Sequence, residues 1–585
     1  MFNKHLRGGA LKIEGERGTV FDLARGRLVL VSAFFALLFM LVAARAVDLA
    51  LVQEPGTHLR LSQNAAGENI RRGDVYDREG TLLATTLQTA SLYADPKLVK
   101  DPQGVAQRLS TILPGESYGA LLKRLQTNAR FVWLKRNLTP DEQFKVLELG
   151  EPGLEFQNEY KRIYPQGALT AHLLGYTSVD NRGLAGVERS FNDILSLGQD
   201  LDLTLDIRLQ HVLRRETLNA MLQFDAKAGA GLIMDVATGD VLAGVSLPDF
   251  EPLAVGDATD FQRFNRLSLG VYELGSLFKI FSTAAVLDIH NLPMNSTFDV
   301  REPITIGRFT INDFHAEDRV LTLPEVFMYS SNIGAARMGE MVGTQALRDF
   351  YDDLGLLRKL DWDIAEAGTP LVPDPWGEVH TLTASYGHGL ATTPLQMTAA
   401  VASIVNGGYL VKPKLVKLPP ESGVVYAEKN KTLRIVSEKT SHRIRQLMRL
   451  VVTDGTGSKA DVPGYRVGGK TGTAEKSSAR GYDHDRLISS FVAVFPAEAP
   501  RYVVMVMVDE PKGNKKSYGY ATAGWVAAPA VANVISAMGS ILGIPVKKLA
   551  PSDELGASLK QYVMSAEDRE NLKHNKKAGA VNASY

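Results

Sequence analysis

Apolar residues run from Leu28 to Ala44 without a charge and continue past Arg45 and Asp48 toward Val52. A membrane-spanning helix needs roughly 20 mostly apolar residues, so residues 28–52 are expected to form a transmembrane anchor, with Arg45 reaching back to the interface. Beyond it the pattern breaks into shorter periods. Turn signals at Asp95-Pro96, Leu113-Pro114-Gly115 and Glu151-Pro152-Gly153 punctuate alternating segments, and residues 53–221 read as an α+β pedestal domain. Leu205 to Leu222 has helical apolar spacing. Ala230 to Met234 is a short apolar run ended by Asp235-Val236-Ala237-Thr238-Gly239-Asp240, which reads as a hairpin turn between strands. A second domain is expected to start in this region and to occupy residues 222–545.

Inside that domain Phe278, Phe281, Ala284, Ala285 and Leu287 recur at helical intervals until Asn291-Leu292-Pro293 ends the run. Thr392-Thr393-Pro394 supplies capping hydroxyls and a first-turn proline to a helix over Leu395 to Val405, which Asn406-Gly407-Gly408 closes. Val503 to Val508 reads as a strand ending in Asp509, and Trp525 to Leu542 as another helix. Residues 546–585 are a polar tail, expected to be loosely ordered at its end.

Composition narrows the function classes. The chain has 585 residues, 45% of them hydrophobic, which is enough for two or more globular domains. Lys plus Arg (65) equals Asp plus Glu (65), so no basic field recruits nucleic acid. No Cys/His cluster or H-E-x-x-H pattern suggests a metal, and no cofactor is expected. The absence of cysteine excludes disulfides and thiol catalysis. Ahead of the anchor stand Lys4, Arg7, Lys12, Arg17, Arg25 and Arg27 against Glu14, Glu16 and Asp22. The positive-inside bias therefore makes residues 1–27 a cytoplasmic tail and puts everything after Val52 outside. Ala44-Arg45-Ala46 also fits a small-x-small cleavage site. The charged leader is long for a secretory signal, however, and the apolar run exceeds the roughly 7 to 15 residues of a signal core.

Three short motifs carry the chemistry. Ser276-Leu277-Phe278-Lys279 opens a helix, and residues three apart share a helix face, so Lys279 can reach the Ser276 hydroxyl. A serine needs a base, and lysine serves as one only when neutral; apolar neighbours such as Phe278 and Phe281 would lower its pKa. Ser330-Ser331-Asn332 breaks two helical stretches and aims two side chains into a cleft. There Ser330 can pass a proton to a leaving amine and Asn332 can orient Lys279 and a substrate carbonyl. Lys470-Thr471-Gly472-Thr473 lies on a strand whose side chains alternate. Lys470 offers a charge to a terminal carboxylate and is positioned to depress the Lys279 pKa, Gly472 leaves room for substrate backbone, and the Thr473 N–H joins that of Ser276 as an oxyanion hole. Gly464 to Thr471 also matches the phosphate-loop pattern, but no apolar periodicity predicts the helix that must follow it, and a site outside the membrane meets no ATP.

With Arg72-Gly73-Asp74-Val75-Tyr76-Asp77-Arg78, Arg162 to Gly175, Leu203 to Asp206, Tyr272 to Lys279, Ser330 to Asn332, Thr393 to Met397 and Gly469 to Thr473 in one order, the chain resembles the class B penicillin-binding proteins. The Ser-Ser-Asn form is similar to division-type members rather than to elongation-type relatives with Ser-Cys-Asp. The resemblance implies an α+β multidomain protein. It would have a single N-terminal transmembrane helix, an elongated pedestal of the dimerisation type, and a penicillin-binding, β-lactamase-like transpeptidase domain with an antiparallel sheet between helices.

It implies a serine D-Ala-D-Ala transpeptidase that cross-links peptidoglycan stem peptides at the division septum and is inhibited by β-lactams. Ser276 would be the nucleophile, Lys279 its base, and Ser330 and Asn332 the relay. Lys470, Thr471, Gly472 and Thr473 would bind substrate. A membrane-embedded glycan polymerase and other division proteins would be partners in the bacterial inner membrane, with the catalytic domain periplasmic. An elongation-type transpeptidase and a membrane-anchored β-lactam sensor remain the alternatives. A β-lactamase would further need a base for deacylation, which the sequence does not display.

Overall fold

The computed structural model describes residues 32–40, 43, 71–307, 309–417, 433–478, 481–547, 554–565 and 568. The expected cytoplasmic tail and most of the expected anchor lie outside these residues. Residues 32–40 are helical and exposed. The described residues from 71 onward form one compact unit.

The first half of that unit is built on the long strand Leu82–Ala94, which pairs antiparallel with Val75–Tyr76, Val132–Leu138 and Leu154–Ile163. Three short helices cover this sheet: Pro102–Ile112, Tyr118–Leu125 and Pro140–Leu147. Each begins at a side chain that accepts a backbone N–H, namely Asp101, Ser117 and Thr139, which satisfies donors the helix leaves open. Their apolar stripes, including Val105, Leu109, Leu121 and Val146, bury Leu92, Leu134 and Leu138. At its other edge the sheet continues through Leu201–Leu203 to Val416–Lys417. The catalytic half therefore contributes a strand to the pedestal sheet.

The catalytic half is a three-layer sandwich. Its sheet runs Gly468–Ser478, Gly481–Phe495, Tyr502–Asp509, Ala228–Asp235, Val241–Leu247, antiparallel throughout. Alternation along Tyr502–Asp509 shows why both faces are covered. Val504, Val506 and Val508 join Leu213, Val531 and Ile535 of the helices Ile207–Gln223 and Ala523–Ile541. Val503, Met505 and Met507 join Phe281, Val401 and Leu447 of the helices Lys279–Ile289, Pro394–Val405 and Glu438–Asp454. The two sides of one strand thus feed two cores.

Helix Ile207–Gln223, which a boundary at 221/222 leaves with the pedestal, packs on this sheet. Ala523–Ile541 is long and apolar enough to cross a bilayer by composition alone, yet half of it is buried in the sandwich. Within the expected polar tail, residues 554–565 include a short 3-10 helix, Ala557–Tyr562, that docks on the catalytic core through Leu559; residues 569–585, the end of that tail, lie outside the described residues.

Candidate active site

Ser276 sits in a 3-10 turn, Gly275–Phe278, that runs straight into helix Lys279–Ile289. This helix begins without a side-chain cap, and its first residue is Lys279, 1% exposed. The Lys279 Nζ lies 2.9 Å from Ser276 Oγ, 2.5 Å from the Ser330 carbonyl, 3.1 Å from Ser330 Oγ and 2.8 Å from Asn332 Oδ1. Burial lowers its pKa to about 7, against an opposing pull from the Asp313 carboxylate.

Two helices deliver the second motif. Leu323–Tyr329 ends at Ser330, whose left-handed backbone (φ 64°) turns the chain sharply, and Ser331 caps the next helix, Asn332–Val342, by accepting the Gly334 N–H. Asp313 reinforces that turn. Its carboxylate accepts the backbone N–H groups of Asn332 (2.5 Å) and Ile333 (2.9 Å) and the Ser331 hydroxyl (2.7 Å). A carboxylate at a helix N-terminus is favoured by the helix dipole. The Asn332 Nδ2 donates to the Asn312 carbonyl, so the amide is held with its oxygen toward Lys279.

The third motif is on Gly468–Ser478, an edge strand of the central sheet. Lys470 is fully buried; its Nζ donates to Ser330 Oγ (2.9 Å) and to the Thr471 carbonyl (3.2 Å). Burial first, and then the charge of Lys279, hold Lys470 well below the ordinary lysine range. A Cβ on Gly275 would lie 2.8 Å from the Thr473 carbonyl oxygen, so that carbonyl faces the nucleophile turn. In an extended strand a residue's N–H and C=O point to the same edge; the Thr473 N–H therefore faces the same way. Thr473 Oγ1 accepts the N–H of Ala523 at the start of Ala523–Ile541, and Thr471 Oγ1 lies 2.8 Å from Thr456 Oγ1. A cleft of about 660 Å³ opens over these groups, lined by Ser276, Ser330, Asn332, Thr471, Thr473 and His388 among others.

Residues 229–535 match the penicillin-binding protein transpeptidase domain, and residues 68–197 the penicillin-binding protein dimerisation domain. The chain is 40% identical over 540 residues to the probable peptidoglycan D,D-transpeptidase FtsI of Caulobacter vibrioides, covering 90% of each. The chain belongs to the class B penicillin-binding proteins. It is 30% identical over 520 residues to the peptidoglycan D,D-transpeptidase FtsI of Escherichia coli, covering 83% of this chain and 86% of that one. Among solved structures, penicillin-binding protein 3 of Mycobacterium tuberculosis complexed with aztreonam superposes with a TM-score of 0.64 at 25% identity, over 82% of this chain and 98% of the other.

Of the eight residues singled out in the sequence of this class B penicillin-binding protein, Ser276, Ser330, Asn332, Thr471 and Thr473 line the cleft, and Lys279, Lys470 and Gly472 are buried behind it. Lys470 does not line the cleft; it lies beneath, directed at Ser330, because alternation along the strand turns Thr471 and Thr473 toward the opening instead. Gly472 does not leave room for substrate backbone. A Cβ there would lie 2.5 Å from the Leu274 carbonyl oxygen and 2.7 Å from Leu277, so the glycine lets the nucleophile turn press against the strand. Asp313 and Thr456 were missed, since each sits in a polar loop whose sequence is indistinguishable from an ordinary solvated one.

Proposed function

We propose that this chain is the division-type peptidoglycan D,D-transpeptidase of its cell, acting through a serine acyl-enzyme. The observation that carries the reading is a serine hydroxyl 2.9 Å from a buried lysine whose pKa is about 7, which matches a base to neutral pH. Ser276 attacks the carbonyl of the penultimate D-alanine of a stem peptide, and its proton passes to neutral Lys279. The backbone N–H groups of Ser276 and Thr473 hold the oxyanion. Collapse of the tetrahedral intermediate breaks the amide bond as Ser330, bridging Lys279 and Lys470, delivers a proton to the leaving amine, and D-alanine departs. An amine from a neighbouring stem then attacks the ester, forms the cross-link and returns the proton to Ser276.

Thr471 and Thr473, facing the cleft, hold the terminal carboxylate, and Lys470 steadies Ser330 from below by donating to its hydroxyl. The relatives named FtsI support the septal role. Residues 28–52 anchor the chain in the inner membrane, residues 1–27 face the cytoplasm, and the pedestal, ending near Leu203, carries the transpeptidase domain into the periplasm. There a membrane-embedded glycan polymerase and other division proteins are its partners.

A penicillin presents the same carbonyl and carboxylate pair, so it acylates Ser276 and the adduct persists for minutes or longer. Peptide mass mapping checks this; an adduct elsewhere sinks the assignment, and rapid turnover points to a β-lactamase. Depletion of the protein tests the septal role, with filaments expected. Rounded, swelling cells would assign it to elongation.

A further inference from the structure

Residues 554–565 lie beyond the matched transpeptidase domain, yet they clasp two helices whose C-terminal ends lead into the cleft. On helix Leu323–Tyr329 the grip is at the first turn. Thr322 Oγ1 donates to the Tyr562 carbonyl (2.8 Å), and the Met564 N–H donates to Glu325 (2.9 Å). Glu325 is 2% exposed and also accepts from both terminal guanidinium nitrogens of Arg319 (3.0 and 2.8 Å) and from the Thr322 N–H (3.0 Å). The last residue of this helix leads directly into Ser330.

On helix Glu438–Asp454 the grip is in the second half. Arg449, 6% exposed, donates to Glu554, to Asp461 (2.7 Å) and to the Val467 carbonyl (2.9 Å), the last at the entry to the Lys470 strand. Lys560 meets Asp454 at 3.0 Å. Gly556, at φ 88°, passes so close that a Cβ would lie 2.9 Å from the Gln446 carbonyl oxygen. Helix Glu438–Asp454 ends in Gly455-Thr456, both on the cleft wall. Its exit abuts the other helix, since a Cβ on Gly455 would be 2.8 Å from Met328.

We propose that residues 554–565 are a positioning strap for acyl transfer: by locking these two helices together they set the Ser330-Ser331-Asn332 turn and the Thr456 loop against Ser276 and Lys279. The strap touches no reacting atom. It acts through Ser330, whose carbonyl and hydroxyl both face the Lys279 nitrogen. The proposal rests on the acyl-transfer reading above.

The test compares the full chain, a chain ending at Lys547, and Gly556→Val in the full chain, whose added side chain pushes the strap off Gln446. A fluorescent penicillin is the probe, with the noncovalent binding constant, the acylation rate constant, its pH dependence and the labelled stoichiometry all measured. Small displacements of a catalytic group by distant changes cost rates of tenfold to a hundredfold. The acylation rate constant should therefore fall by about tenfold or more in both variants, with about one label per chain retained, binding changed by less than about threefold, and the acidic limb of the pH profile displaced. A peptide spanning residues 554–565, added in trans to the truncated chain, should restore part of the rate. If the labelled fraction falls while the rate constant and pH profile of the remaining fraction stay the same, or if both variants acylate at the full rate, the strap has no positioning role. A full chain that does not label at Ser276 overturns the acyl-transfer reading instead.

Discussion

The Lys279 nitrogen is surrounded by four oxygens, and two of them, the Ser330 carbonyl and Asn332 Oδ1, can only accept. A neutral amine has two N–H groups to satisfy them, which leaves its lone pair for the Ser276 proton. The same site accommodates the charged form poorly because it is buried, which is the cause of a pKa near 7. Acylation should therefore rise about tenfold per pH unit below 7 and level off above it, because only the neutral form is a base. Stopped-flow acylation across pH 5 to about 9 measures this limb. Lys279→Arg should abolish acylation, since arginine stays protonated. Asp313 raises the Lys279 pKa by its charge, so Asp313→Asn should move the limb to lower pH. The same change weakens the helix cap and should cost about 1 kcal/mol of stability in denaturant titration. A limb that moves upward, or does not move, refutes the electrostatic role.

At the scale of elements, the most local relationships were legible in the chain and the least local were not. Ser276 and Lys279 lie three residues apart, so one turn of helix is enough to bring them together. The break between two apolar stretches at Ser330 was visible because helical periodicity stops there. The roles of Lys470 and Gly472 depend instead on what lies on each side of their strand, and a sequence records alternation without naming the neighbour. Asp313 and the strap residues act across tertiary distances, through backbone groups and ion pairs between segments far apart in the chain, which no local periodicity encodes.

Gly472 gives this a test. Gly472→Ala places a methyl within 2.5 Å of the Leu274 carbonyl and 2.7 Å of Leu277, where backbone cannot move aside without carrying Ser276 with it. The acylation rate constant should fall by about a hundredfold, as expected for displaced reacting groups, while far-ultraviolet circular dichroism is unchanged. An alanine variant that acylates normally would show that the nucleophile turn does not depend on this contact.

At the scale of the whole molecule, the pedestal and the catalytic half are coupled by more than a linker. Val416–Lys417 extends the pedestal sheet, Asp363 accepts the N–H groups of Leu415 and Val416 (2.6 and 2.9 Å), and the short helix Gly186–Ser190 is met by Glu366 through the Gly186 N–H and by the Ala365 N–H through Ser190. That helix carries Glu188, which is fully buried between Arg72 and Arg162 at 2.6 and 2.7 Å. Arg162 also donates to the Gly73 carbonyl (2.6 Å), so the acid ties the lead-in to Val75–Tyr76, the end of Leu154–Ile163 and the catalytic half into one knot. Buried ion pairs are weak net contributors when compared with apolar packing, but removing one partner strands the others. Glu188→Ala leaves two guanidinium groups buried without their carboxylate and should destabilise the unit by about 3 to 5 kcal/mol. Every catalytic group is elsewhere, so penicillin labelling of Ser276 at low temperature should persist while the thermal midpoint drops. If labelling is lost at temperatures where circular dichroism shows the fold intact, the knot transmits to the active site as well as holding the two halves together.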